Sequence, residues 1–227
     1  LEKLYIKDKE PQKFHKVIVA SGGSPKKEGL SWLEKLGHKI ESPVPSLFTF
    51  NIPNDPITKL MGLVADPVLA SIQGTKLKST GPLLITHWGF SGPVVLKLSS
   101  IAARELFEQN YKCSLVIKWS NFGYEELKEK VNLLKINSGR INLMNIRPLP
   151  AVTKRLWIFL LNKMKINKNK KWADLLVTER EKMINVLLND KYYISGKGPF
   201  GEEFVTSGGV KINEVNFKSM ESLICPG

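Results

Sequence analysis

Two glycine pairs near opposite ends of the chain constrain its fold more than any other feature. Each closes a β-branched run: Val17-Ile18-Val19-Ala20-Ser21-Gly22-Gly23 and Phe204-Val205-Thr206-Ser207-Gly208-Gly209-Val210. A short apolar run of this kind reads as a buried strand. Glycine after it lets the backbone turn sharply and lets a ligand come close to the main chain. Two such strand ends, far apart in sequence, imply one sheet interrupted by a long insertion. The chain also opens on Leu1 rather than Met, as an excised piece or a processed chain would.

At 227 residues the chain is long enough for one large domain or two small ones. The strongly apolar stretch Leu156 to Leu161 is too short to span a bilayer. No signal-peptide pattern follows Leu1. Cys113 and Cys225 form neither a disulfide framework nor a metal cluster, so no metal site is expected. Two idle thiols suit a reducing, cytoplasmic compartment. The net charge is +13, and the excess is concentrated. Between Lys135 and Lys171 lie ten basic residues and no Asp or Glu. Such a field could attract nucleic acid, an anionic membrane or an anionic substrate. The alternative is a solvated lysine-rich surface.

The pattern along the chain changes twice. Val17 to Gly37 reads as strand, glycine turn and helix, with Ser24 as N-cap, Pro25 in the first turn and Gly37 as the stop. A proline-rich region follows, with strands expected at Leu47 to Ile52, Leu63 to Ile72, Thr75 to Lys78, Leu83 to Thr86 and Lys112 to Trp119. Gly74 and Gly81-Pro82 read as breaks between them. Several short strands at this spacing suggest a small barrel or sandwich. Ser91 and Pro93 start a helical stretch from Val94 to Phe107. Helices are expected at Glu125 to Lys135, Pro150 to Lys165, Trp172 to Leu176 and Glu179 to Leu188. Strands return at Lys191 to Ser195 and Glu203 to Thr206.

Several segments together carry a resemblance. They are Val17 to Gly23, Leu36-Gly37-His38, Gly81-Pro82-Leu83-Leu84-Ile85-Thr86-His87-Trp88-Gly89-Phe90-Ser91-Gly92-Pro93, Val205 to Val210, and Met220-Glu221-Ser222 followed by Cys225-Pro226-Gly227. In this order the chain resembles the FAD-dependent flavoprotein family that includes aminoacetone oxidase and the bile-acid-modifying flavin reductase. The resemblance implies an α+β fold, with a small β-barrel-like domain carrying a helical insert bundle. Remnants of a Rossmann-like FAD-binding domain flank it. On that pattern residues 1–42 and 207–227 belong to the FAD domain. Residues 43–122 and 191–206 form the barrel-like domain, and residues 123–190 the helical insert. The family's N-terminal phosphate turn and its C-terminal closing segment have no counterpart at the two ends of this chain.

The resemblance also implies a chemistry. The parent protein would be an FAD-dependent oxidoreductase moving a hydride between flavin and a small organic substrate or NAD(P)H. This chain would supply the substrate-side domains and would hold FAD weakly or not at all without the missing FAD-binding domain. Ser21, Gly22 and Gly23 would line the cofactor from one strand end, and Thr206, Gly208 and Gly209 would approach the flavin edge. Ser91 and Gly92, at a helix start, would offer N–H groups to a flavin carbonyl. His87 is the candidate catalytic residue, because imidazole can relay protons near neutrality. Each of these has a plainer alternative: ordinary tight turns at both glycine pairs, and a turn and helix cap at His87 and Ser91. No Ser-His-Asp ordering, His-Glu-x-x-His or Cys-x-x-Cys points to a hydrolase or zinc enzyme. A second reading is a basic module for nucleic acid or anionic membrane, built on the barrel and the helical insert.

Overall fold

The computed structural model describes residues 10–12, 14–198 and 205–225. They divide into two compact units, one holding the described residues up to Ser46 and from Val205 on, the other holding Leu47 to Gly198. The fold class is α+β.

The first unit opens on an extended segment, not a strand. Val17 to Ala20 pairs with nothing among the described residues, and Ile18 is 92% exposed. A β-branched run becomes a strand only when neighbours satisfy its backbone and cover its side chains. Here neither condition is met. The helix after Gly23 also starts later than expected. Ser24 Oγ donates to Lys26 O and accepts from Lys26 N–H, forming a local turn. A 3-10 turn at Lys27–Leu30 then leads into the short helix α1, Ser31–Lys35. Strand β1, Ile40–Pro45, completes the N-terminal half of the unit.

The second unit is built on a seven-stranded antiparallel sheet. In chain order its parts are β2 (Phe50–Asn51), β3 (Val64–Ile72), β4 (Lys78–Ile85), β5 (Gly89–Ser91), the helices α2 (Pro93–Ile101) and α3 (Ala103–Glu108), and β6 (Cys113–Lys118). The helices α4 (Tyr124–Asn137), α5 (Lys154–Lys163) and α6 (Val177–Asn189) come next, then β7 (Asp190–Ile194) and β8 (Gly196–Lys197). Strand order across the sheet is β7-β6-β3-β4-β5-β2-β8. The sheet is not a closed barrel, but its two edge strands are consecutive in the chain. Ser195, between them, donates its N–H to Asn51 O. One segment therefore supplies both edges and bends the sheet into a barrel-like layer.

Gly81-Pro82, expected as a break, lies inside β4. Ala65 pairs with Leu83 and Val68 with Gly81, so the ladder's irregularity falls where Asp66-Pro67 faces Pro82. Neither proline has an N–H to give the ladder, and a bulge accommodates both without ending either strand. The helical stretch after Pro93 breaks at Ala102 into α2 and α3. Helix α5 starts at Lys154 rather than Pro150, because the Thr153 side chain accepts from Leu156 N–H as N-cap.

The sheet and helices of this unit share one core. It runs from Phe48 and Phe90, through Leu98 and Leu115, to Trp157, Trp172, Met183 and Leu187. Asp190, 2% exposed, ties the two halves together. Its Oδ2 accepts from Trp119 Nε1 at 2.9 Å and from the Tyr192 hydroxyl at 2.6 Å. Its Oδ1 accepts from Lys163 Nζ on α5 at 2.6 Å. A buried carboxylate is tolerated when its lone pairs are used in this way. Burial, then the Asp190 charge, raises the Tyr192 phenol well above its ordinary range.

The chain then returns to the first unit. Strand β9, Thr206–Val210, pairs antiparallel with β1, Ile40 opposite Val210 and Pro45 opposite Thr206. A 3-10 turn at Ile212–Glu214 leads to the β10 (Val215–Asn216) and β11 (Glu221–Ser222) hairpin. The second glycine pair therefore sits within a strand, which sets aside the plainer alternative of a tight turn there. Most of the strand expected at Glu203 to Thr206 lies outside the described residues.

Candidate functional site

The first unit brings both glycine pairs to one cavity of about 200 Å³. Ser21, Gly22 and Gly23 line one side; Thr206, Gly208 and Gly209 line the other, with Leu33 and Pro43 beside them. The two runs approach closely: a Cβ on Gly23 would stand 3.1 Å from Thr206 Oγ1.

The glycines do different jobs. Gly208 has φ +132°, and a Cβ there would lie 2.8 Å from both Pro43 Cα and Ser42 O. The β1–β9 ladder shifts register between Glu41 and Val44, opposite this point. Gly208 is thus required by strand packing. Gly22 (φ +72°) and Gly209 (φ +117°) also have backbones that disfavour a side chain, yet a Cβ on either would meet nothing within 4 Å. Their conformation keeps open space beside the main chain, as a close-approaching ligand needs. At about 200 Å³ the cavity is smaller than the ~300–1,000 Å³ usual for an enclosed small-molecule site. It suits one part of a dinucleotide rather than the whole.

The remaining predicted residues lie in the second unit. His87 is exposed in the turn between β4 and β5, its ring edge-on to Trp88 at a centroid distance of 4.5 Å. Ser91 is the last residue of β5, paired with Leu84, and does not cap the helix. The N-cap of α2 is Gly92, with Pro93 following. Gly92 has φ +92°, and a Cβ would come 2.8 Å from Pro82 O and 2.9 Å from Leu84 N. Gly89 is tighter still: its Cβ would fall 2.2 Å from Phe50 O. Close backbone crossings between strands therefore account for the glycines of this motif.

One constellation escaped the sequence. His38, 7% exposed, has Nδ1 3.0 Å from Glu214 Oε2 and Nε2 2.9 Å from Ser222 Oγ. Glu214 Oε2 also accepts from Lys39 N–H at 2.9 Å. That backbone N–H, ahead of His38 itself, holds the Glu214 carboxyl below its usual range against the opposing effect of burial. The partners lie so far along the chain from His38 that no local signal links them. Conversely, Gly196-Lys197-Gly198-Pro199-Phe200-Gly201 spells the Gly-x-Gly-x-x-Gly pattern. Gly196 and Lys197 form the edge strand β8, and the last three residues of the string lie outside the described residues. Among the described residues no cluster of His, Cys, Asp or Glu could hold a metal, and no helix is long and apolar enough to cross a membrane.

Comparison with known proteins gives this geometry a family. The family model for the HI0933-like protein barrel and H2TH domain matches residues 44–205. The chain is also 24% identical over 234 aligned residues to the 3-dehydro-bile acid delta(4,6)-reductase of Clostridium scindens, covering 93% of this chain and 54% of that protein. It thus spans about half the length of the curated relative it matches. The match over both the sheet and the helices of the second unit shows that the chain belongs to the HI0933-like family of FAD-dependent flavoproteins.

Proposed function

We propose that the full-length protein is an FAD-dependent oxidoreductase, and that this chain supplies one edge of its cofactor site. The observation that carries the reading is the cavity between the two glycine pairs, with open space beside Gly22 and Gly209. When bound, FAD supplies two-electron chemistry, accepting or giving a hydride. Gly22 and Gly23 would let the cofactor lie against the main chain, Thr206 would offer a hydroxyl, and Gly209 would keep the facing strand clear. The relative's name, a reductase of a bile acid, supports a small organic substrate; in our reading NAD(P)H is the reductant. His87, exposed in its turn, is our candidate for proton transfer. Ser91 and Gly92 are the further candidates for contacts to the cofactor. The cavity's size implies that a larger share of the cofactor is held outside this chain, so the 227 residues alone would bind FAD weakly. The test is to purify the full-length protein and record its absorbance. Bound flavin is the expected result; a folded, colourless protein that takes up no added FAD refutes the reading.

A second reading has one structural support. Segments 139–144 and 168–173 run side by side, through Leu143 N–H to Lys170 O, Trp172 N–H to Ile141 O and the Asn142–Lys171 bridge. They bring Arg140, Lys168 and Lys171, all exposed, onto one ribbon. Lys135, Lys163 and Lys170 are instead engaged with Leu175 O, Asp190 and Glu179. Binding of nucleic acid through this ribbon would weaken ~10³-fold or more between 50 and 200 mM salt if six or more phosphates were contacted. No binding at low salt removes this reading.

A further inference from the structure

Ser222, His38 and Glu214 stand in the order of a nucleophilic relay, but the hydrogen bonds around Ser222 give them another task. Ser222 Oγ accepts from Ile224 N–H at 3.1 Å and from Cys225 N–H at 2.8 Å. A hydroxyl has two acceptor positions and one proton. Both acceptor positions are taken, so its proton must go to His38 Nε2. His38 is therefore neutral, with its proton on Nδ1 and donated to Glu214. The N–H groups that an oxyanion would need point at the hydroxyl itself. This leaves Ser222 poorly placed to act as a nucleophile.

The backbone around the imidazole shows what it is attached to. The His38 backbone N–H donates to Leu33 O, and Leu33 lines the glycine cavity. Lys39 O accepts from Lys211 N–H, directly after β9. Gly37 packs so closely that a Cβ there would meet Ile224 at 3.1 Å. The main chain at 38 and 39 thus joins the α1–β1 connection to the end of the glycine strand, and the His38 imidazole adds Glu214 and the 222–225 turn to that frame.

We propose that His38 is a positioning residue: its neutral, Nδ1-protonated imidazole latches the 222–225 turn onto the frame of the glycine cavity. The cofactor role of that frame rests on the FAD reading above. Protonation of His38 would place a second donor opposite a hydroxyl whose acceptor positions are filled, and so would open the latch. The charged groups around it are the Glu214 carboxylate and the Lys39 ammonium. Lys211 is paired with Glu41, and Lys16 with Glu221 beside Ser222.

The test is amide hydrogen exchange at Ile224 and Cys225 in the full-length protein, alongside FAD titration. Ser222→Ala should speed exchange of both amides about tenfold, and Ser222→Thr, which keeps the hydroxyl, should leave it near wild type. His38→Ala, which removes the acceptor of the Ser222 proton, should speed the same amides as well. FAD affinity should fall in His38→Ala and Ser222→Ala and recover in Ser222→Thr. Unchanged exchange in Ser222→Ala, or in His38→Ala, overturns the latch. Covalent labelling of Ser222 by a fluorophosphonate also overturns it. The exchange pattern with unaltered FAD affinity overturns the positioning role, whereas the pattern in a protein that binds no FAD overturns the cofactor reading alone.

Discussion

Gly208 and Gly209 are adjacent, both have positive φ, and they differ in what a Cβ would meet. Gly208→Ala and Gly209→Ala should therefore separate packing from function. Each substitution forces an L side chain into a sparsely populated backbone region, at a cost of about 1–3 kcal/mol. At Gly209 the account ends there, because a Cβ finds nothing within 4 Å. At Gly208 the new methyl collides with Pro43 Cα, Ser42 O and Glu41 O at 2.8 to 2.9 Å. Those atoms are backbone or ring-constrained, so β1 and β9 must part. Overpacking of this kind adds about 1–3 kcal/mol. Gly208→Ala should thus cost more than Gly209→Ala by roughly that second amount. Because the chain folds as two units, a global melt is the wrong measure. Hydrogen exchange of the β1–β9 amides isolates the ladder. FAD titration of the full-length protein then reads the other axis. Gly209→Ala should lower FAD affinity with the smaller loss of ladder protection. Equal loss of protection in the two variants, or full FAD affinity in Gly209→Ala, would refute this division of labour.

Three further outcomes follow from the second unit and the thiols. Asp190→Ala strands the buried Trp119 Nε1–H and Tyr192 O–H; at about 1–3 kcal/mol per orphaned donor it should destabilise the unit by about 2–6 kcal/mol in urea, and a shift under 1 kcal/mol would contradict the structure. Burial works to raise the Glu179 carboxyl, but Lys170 and the Leu176 N–H outweigh it and the net shift is downward. Its contribution is then present above the unfolded-state glutamate range, near pH 4.3, and is lost as pH falls through the lower folded value. Wild type should exceed Glu179→Gln in urea midpoint at neutral pH, with the gap closing in acid; a gap that widens in acid reverses the sign. Burial pushes the Cys113 thiol up to about 11, so iodoacetamide should label the partly exposed Cys225 first, and equal rates by peptide mapping would count against the buried position of Cys113.

The sequence revealed elements whose signals are local. Strand β6 alternates buried and part-exposed residues from Cys113 to Lys118, and α4 carries Leu127 and Val131 at helical spacing, so periodicity alone located both. It misled where pairing decides. The Val17 run has strand propensity without partners among the described residues, while Gly81-Pro82 breaks the propensity of β4 yet survives because a bulge faces it. Gly208-Gly209 reads locally as a turn, and only the crossing of β1 makes it a strand. For the candidate site, the glycine pairs were visible as motifs, but their meeting at one cavity was not. The His38–Glu214–Ser222 contacts had no sequence signal, because nothing in a one-dimensional pattern marks residues that meet only through tertiary folding.

The central claim is that the two glycine runs form one edge of an FAD site. The most direct measurement is amide chemical-shift mapping of the full-length protein during FAD titration. The account predicts saturable shifts at Gly22, Gly23, Gly208 and Gly209, with the same apparent affinity as the optical titration. Saturable FAD binding that leaves these four amides unmoved would contradict it.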